Sequence, residues 1–280
     1  MKVSDLLFTL SEIIKVSAEQ EQIIEWALLQ STGRTWKRSE WMMSSDQNVS
    51  EVYSDQAIIL AKRRAEGFPL QYLTHEQSFY GRSFYVEEGV LVPRPETEIL
   101  VDEVLKRLKA RSEEKLLGFE LGLGAGPIAI TLLTEIPELR MIGTELSEIA
   151  IRVTNINSDK HLKDPSRLEI VSEIQNKIFN FIVSNPPYLD RSKHEVDADV
   201  AKYEPSTALF APENDPLYFY KHLRDLSIKN LKRGGFLAIE IPHDRVEAVS
   251  QLFSDRKWSM LKIIPDLNSR PRVLVVTLSS

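Results

Sequence analysis

From Glu96 onward, short apolar runs alternate with helical patterns, and this alternation limits the fold more than any other feature of the 280-residue chain. Leu100, Val101, Val104, Leu105 and Leu108 recur at helical spacing. Residues 116–121, 141–144, 168–171, 179–184 and 236–241 are apolar runs of strand length, and 127–134 and 147–158 between them have the helical period. Asp215-Pro216 offers N-cap and first-turn chemistry for a helix expected to run to Leu231. Residues 258–264 and 273–278 close the chain as strands. Such alternation predicts a mostly parallel α/β sheet of seven strands with helices on both faces, because each crossover lays a helix against the sheet.

The first 75 residues read differently. Val3, Leu6, Leu7, Leu10, Ile13 and Ile14 form the stripe of an amphipathic helix. Ser17 with Gln20 fits a capping box, and 55–66 reads as a helix stopped by Gly67 and Pro69. No catalytic constellation lies here, so a small helical packing or recognition domain is expected. Residues 78–86 are two aromatic-rich stretches around Gly81, a β-hairpin pattern, and Leu91-Val92-Pro93-Arg94-Pro95 enforces extended chain. The expected division is 1–75 helical domain, 76–93 hairpin linker and 94–280 α/β domain.

Composition narrows the chemistry. The chain has no cysteine, which excludes disulfides, thiolate catalysis and cysteine metal sites. Its five histidines show no ligand spacing, so no metal is expected. A formal charge of -6 is unlike the basic surface of a dedicated duplex binder, so no direct nucleic-acid partner is expected. No apolar run reaches membrane-spanning length, and the first residues lack a secretory apolar segment, so a cytoplasmic protein without a membrane partner is expected.

Gly122-Leu123-Gly124-Ala125-Gly126 follows the first strand of the alternating region. Glycines there let the backbone approach a ligand at the carboxyl edge of the sheet. A dinucleotide fingerprint would place glycine where Pro127 stands, and no Lys-Ser/Thr follows, which excludes a phosphate loop. Glu145 ends the second strand, 19 residues after Gly126, where a carboxylate can accept both hydroxyls of a ribose. This pattern resembles the class I methyltransferases, whose cofactor S-adenosyl-L-methionine has a ribose and no pyrophosphate.

The most informative stretch is Asn185-Pro186-Pro187-Tyr188, placed after an apolar strand. The prolines fix φ and remove donors, so the local backbone is stiff. It can hold Asn185 Oδ1 and the Pro186 carbonyl as two acceptors facing one point, which suits a planar NH2 group. Such a nitrogen is a poor nucleophile, and two oriented acceptors stabilise the charge that builds on it. Tyr188 would stack on or wall off the planar group.

These four residues resemble the signature shared by adenine-N6 DNA methyltransferases and protein glutamine-N5 methyltransferases. Pro69-Leu70-Gln71-Tyr72-Leu73, the hairpin, Val90 to Glu98 with Pro93-Arg94-Pro95-Glu96-Thr97-Glu98, Tyr203-Glu204-Pro205 and Gly234-Gly235-Phe236-Leu237 resemble the second group, the release factor glutamine methyltransferases. The resemblance implies a class I S-adenosylmethionine-dependent fold with a helical N-terminal domain for substrate recognition. It implies methyl transfer to the Gln of the Gly-Gly-Gln motif of class I peptide chain release factors, by an enzyme expected to act as a monomer. By the same resemblance Asn185, Pro186 and Tyr188 are catalytic. Asn185, Pro186, Pro187, Tyr188, Arg94, Glu96 and Thr97 face the substrate. Glu120, Gly122, Leu123, Gly124, Ala125, Gly126, Glu145, Glu173, Ile174 and Asn185 hold the cofactor. The chain departs from the family at Glu120 and Asn180 (usually Asp), at Pro127, at Asp215-Pro216-Leu217 (usually Asp-Gly-Leu) and at Pro242 (usually Gly). The competing readings are an adenine-N6 nucleic-acid methyltransferase and a binding module without activity.

Overall fold

A computed structural model describes residues 1–110, 115–174, 176–192 and 198–279. The chain forms two compact units, Met1–Glu76 with Ala198–Tyr203, and Gln77–Asp197 with Glu204–Ser280.

The smaller unit holds α1 (Val3–Ile13), α2 (Ser17–Thr32), α3 (Arg38–Met43), α4 (Glu51–Ala65) and α5 (Leu70–Thr74). Leu6, Leu10, Ile23, Ile24, Ala27, Leu28, Ala57 and Ala61 are its fully buried core. The capping box expected at Ser17 is not formed. Val16 is the N-cap, and Gln20 is buried with Nε2 donating to Ile14 O at 2.7 Å, so it cannot reach back. α4 begins at Glu51, four residues before the expected start.

The larger unit opens with the hairpin β1 (Gln77–Phe79) and β2 (Arg82–Phe84), turned by Tyr80 and Gly81 at φ 51° and 71°. Phe79 and Phe84 are fully buried in this unit's core, so the hairpin read as a linker is part of its packing. α6 (Thr97–Lys109), α7 (Pro127–Glu135), α8 (Glu148–His161), α10 (Ser206–Leu209), α11 (Tyr218–Asn230) and α12 (Val246–Gln251) accompany a seven-stranded sheet, while α9 (Ala198–Tyr203) belongs to the smaller unit. The strands are β3 (Leu117–Leu121), β4 (Arg140–Thr144), β5 (Leu168–Val171), β6 (Phe179–Ser184), β7 (Leu231–Glu240), β8 (Trp258–Pro265) and β9 (Pro271–Leu278). Their order is β5-β4-β3-β6-β7-β9-β8, parallel from β5 to β7, with β9 antiparallel to both β7 and β8.

Period-two alternation explains the two cores. Phe181, Val183, Phe236, Ala238, Val273 and Val275 pack on one face with α6 and α7, while Ile182, Leu237, Ile239, Leu274 and Val276 pack on the other with Tyr220 and Leu223 of α11. Sequence boundaries slipped at α11. Asp215 Oδ1 accepts from Leu217 N at 3.2 Å, closing a turn before the helix, whose N-cap is Leu217. Leu231 starts β7, and the register shifts by a bulge between its pairing with Phe179 and the pairing of Phe236 with Phe181. A Cβ on Gly235 would stand 2.9 Å from Asn180 O.

Candidate active site

The chain order of the parallel strands reverses between β3 and β6, and ligands of open α/β sheets bind outside the carboxyl ends at such a point. The two motifs leave the sheet there: the glycine loop follows β3, and the Asn-Pro-Pro-Tyr turn follows β6.

Gly122 and Gly124 have φ of 77° and 57°, and nothing lies within 4 Å of where their Cβ atoms would stand. They form a backbone cradle open toward a ligand, and a side chain at either would be both strained and in the way. Leu123 and Ala125 are buried. Leu123 occupies the space above Gly143, where a Cβ would approach it to 2.5 Å. Gly126 is the N-cap of α7 and Pro127 its first residue, where the missing N–H costs nothing.

Glu145 closes the cradle. Its Oε2 accepts from Gly124 N at 2.9 Å, and its Oε1 from Leu146 N and Ser147 N at 2.7 and 3.0 Å. Three of about four lone-pair sites are thus taken, which orients the carboxylate and leaves room for a further donor on Oε2. Glu120 lies in β3 and is 1% exposed, with Oε2 lacking a partner among the described residues. Burial pushes its carboxyl well above the usual range; the Ala129 N–H opposes this and neighbouring Glu145 adds to it.

At the second motif, Asn185 Nδ2 donates to Thr97 Oγ1 at 3.1 Å, and Thr97 Oγ1 donates to Glu240 Oε2 at 2.7 Å. Among the described residues neither Asn185 Oδ1 nor the Pro186 carbonyl has a donor. Tyr188 Oη donates to Glu240 Oε1 at 3.3 Å, and the Arg272 guanidinium stands 3.9 Å from the same oxygen. Burial raises the Glu240 carboxyl above its ordinary value, opposed by Thr97, Arg272 and Tyr188. Tyr188 is likewise raised, first by burial and then by Glu240.

The remaining sequence-derived residues take distinct places. Thr97 is buried at the start of α6, bonded as above. Arg94 is half-buried and pairs at 2.5 Å with the buried Glu204, whose other oxygen accepts from Val92 N at 3.3 Å. Glu96 is exposed at the N-cap of α6 and makes no capping bond. Pro187 is half-buried. Glu173 is exposed just past β5, and Ile174 packs against the core beside it.

The model of the Methyltransferase small domain matches residues 96–203. A release factor glutamine methyltransferase of Aquifex aeolicus is 35% identical over 218 residues, 76% of this chain and 76% of that protein. The chain belongs to the release factor glutamine methyltransferase family. Another member, from Flavobacterium psychrophilum, is 32% identical over 86% of each chain. A methyltransferase structure from Pyrococcus furiosus matches with a TM-score of 0.52 and 15% identity, covering 72% of this chain and 92% of that one. The larger unit thus has the class I methyltransferase fold.

In this family member several site residues lack any sequence signature that singles them out. Thr154 Oγ1 donates to Gly124 O at 2.8 Å and Asn157 Nδ2 to Ala125 O at 2.9 Å, so α8 holds the cradle from behind. Arg245 is buried and donates to Tyr188 O at 3.1 Å and Asp190 Oδ2 at 3.0 Å, bracing the chain after the prolines. Glu240 carries one usable signal: a lone acid inside an otherwise apolar run, 236–241.

Proposed function

We propose that this chain transfers a methyl group from S-adenosyl-L-methionine to the side-chain N5 of the Gln in the Gly-Gly-Gln motif of class I peptide chain release factors. The observation that carries this reading is the pair of acceptors, Asn185 Oδ1 and the Pro186 carbonyl, that have no donor among the described residues, at the carboxyl end of a central strand. Family membership supplies the substrate class.

The residues present fit the cofactor. Glu120 has a buried oxygen without a partner, which an ammonium would satisfy, and the open cradle of Gly122 and Gly124 admits close approach. Glu145 would take the ribose hydroxyls, and because three N–H groups already occupy it, holding both hydroxyls requires one of them to give way. When bound, the cofactor supplies an electrophilic methyl. The protein supplies orientation and charge. Asn185 Oδ1 and the Pro186 carbonyl each accept one N–H of the glutamine amide, which fixes its plane and faces the developing positive charge with two oxygen dipoles. Pro187 and Tyr188 wall the slot, and Arg94 and Glu96 flank it. Glu173 and Ile174 are assigned to the adenine end. The acting species is taken to be a cytoplasmic monomer; no helix among the described residues is long and apolar enough to cross a membrane.

Incubation of the protein with cofactor and a purified release factor tests this reading. One added methyl, located by peptide mass spectrometry on the Gly-Gly-Gln glutamine, is the expected result. An unmodified glutamine under conditions where calorimetry shows cofactor bound, or methyl appearing in DNA or RNA instead, overturns it.

A further inference from the structure

Glu240 and Thr97 stand behind Asn185 and decide which end of its amide faces the slot. An asparagine side chain can turn either its oxygen or its NH2 forward, and the two choices differ completely in what they recognise. Only the oxygen-forward form accepts from a substrate amide. The backbone of the Asn-Pro-Pro-Tyr turn is stiff, yet it does not choose between the two forms, because the flip is about the last side-chain bond.

The choice is made by proton counting. Thr97 Oγ1 has one proton, and Glu240 Oε2 receives it at 2.7 Å. A carboxylate only accepts, so the hydroxyl has just lone pairs to offer Asn185 at 3.1 Å. Asn185 must therefore turn its NH2 toward Thr97 and its Oδ1 away. The other oxygen of Glu240 accepts from the Tyr188 hydroxyl at 3.3 Å and has the Arg272 guanidinium 3.9 Å away as its counter-charge, surroundings that favour the ionised form against the burial that opposes it. The three elements that meet are the start of α6, the end of β7 and the turn after β6, within one compact unit. We infer that Glu240 and Thr97 are positioning residues that lock Asn185 with its oxygen facing the substrate amide, an inference that rests on the glutamine-methylation reading above. Thr97 acts through Asn185, not on the substrate.

A double-mutant cycle tests it, with wild type, Thr97→Val, Asn185→Ala and the double variant assayed on the release factor. Thr97→Val keeps shape and removes the hydroxyl; its kcat is expected to fall about ten- to a hundredfold with the cofactor dissociation constant unchanged. Asn185→Ala is expected to lower kcat by about a hundredfold or more. The double variant should be no slower than Asn185→Ala alone, since Thr97 has nothing left to orient. Thr97→Ser, which restores the hydroxyl, should recover most of the lost rate. A wild-type kcat in Thr97→Val, or losses that multiply in the double variant, overturns the positioning role. Should Thr97→Val fail to bind cofactor, Thr97→Ala is read in the same cycle by the same criteria. A wild-type enzyme that binds cofactor and leaves the glutamine unmodified ends the parent reading instead, so the two failures are told apart.

Discussion

Two buried or half-buried carboxylates at the cradle do opposite things. Glu145 is held by three backbone donors, while Glu120 has one buried oxygen, Oε2, with no partner among the described residues. Glu145→Ala removes the ribose acceptor and frees three N–H groups of the loop. Cofactor affinity measured by calorimetry is expected to fall about ten- to a hundredfold, the worth of hydrogen bonds to a charged group. Glu120 bears on stability through pH. Its folded pKa lies above its unfolded value, so its contribution is fully present below the unfolded pKa and is lost as pH rises through the folded one. Denaturant unfolding of the cofactor-free protein should therefore show wild type losing ground to Glu120→Gln as pH rises from about 4.5 toward neutral. A difference between the two proteins that stays flat with pH would refute the burial assigned to this carboxyl. The places of Asn185, Gly122 and Gly124 at the sheet edge could be read from the sequence, because a strand end followed by glycines or prolines leaves few conformations, and that of Glu145 because it ends the second strand. Arg245, Thr154 and Asn157 could not, since the groups they bond to lie far away in the chain.

Elements were legible wherever a period ran for several residues. The seven strands lie where alternating apolar runs stand, and the slips came at ends: Asp215 closes a turn and does not cap α11, and Gln20 buries its amide and does not complete a capping box. In both cases a polar side chain bonds to a backbone group other than the one its sequence position suggests. Strand packing admits a sharp test. A Cβ on Gly118 of β3 would come within 2.2 Å of the Phe181 ring of β6, which is itself stacked on Phe236 at 5.6 Å. Gly118→Ala is expected to destabilise the protein by about 1–3 kcal/mol through overpacking. Pairing it with Phe181→Leu should give back part of that loss, measured by urea unfolding. Simple addition of the two single losses would mean the ring is not what the new methyl meets.

At the scale of the whole chain, every residue assigned to the cofactor lies in the unit formed by Gln77–Asp197 and Glu204–Ser280. Ligand linkage then predicts that cofactor at a hundred times its dissociation constant stabilises that unit by about 2.7 kcal/mol. Hydrogen exchange of the amides of β3, β4 and β6 should slow by about a hundredfold wherever exchange requires global opening. Unchanged exchange in these strands would place the cofactor elsewhere. The division of the chain was only partly legible: 198–203 packs with the first 76 residues, which no local pattern announces. What the sequence by itself determined was the sheet, its two buried faces and the pair of stiff turns that leave it, because periodicity and the special backbone limits of glycine and proline act within a few residues. Tertiary structure alone decided which strands sit side by side, so that the end of β7 brings Glu240 against Thr97, and the turn after β6 brings Asn185 against the same hydroxyl, across sequence separations of 143 and 88 residues. The direction in which an amide points is a matter of who holds the nearest proton, and that is known only once distant residues are folded into contact.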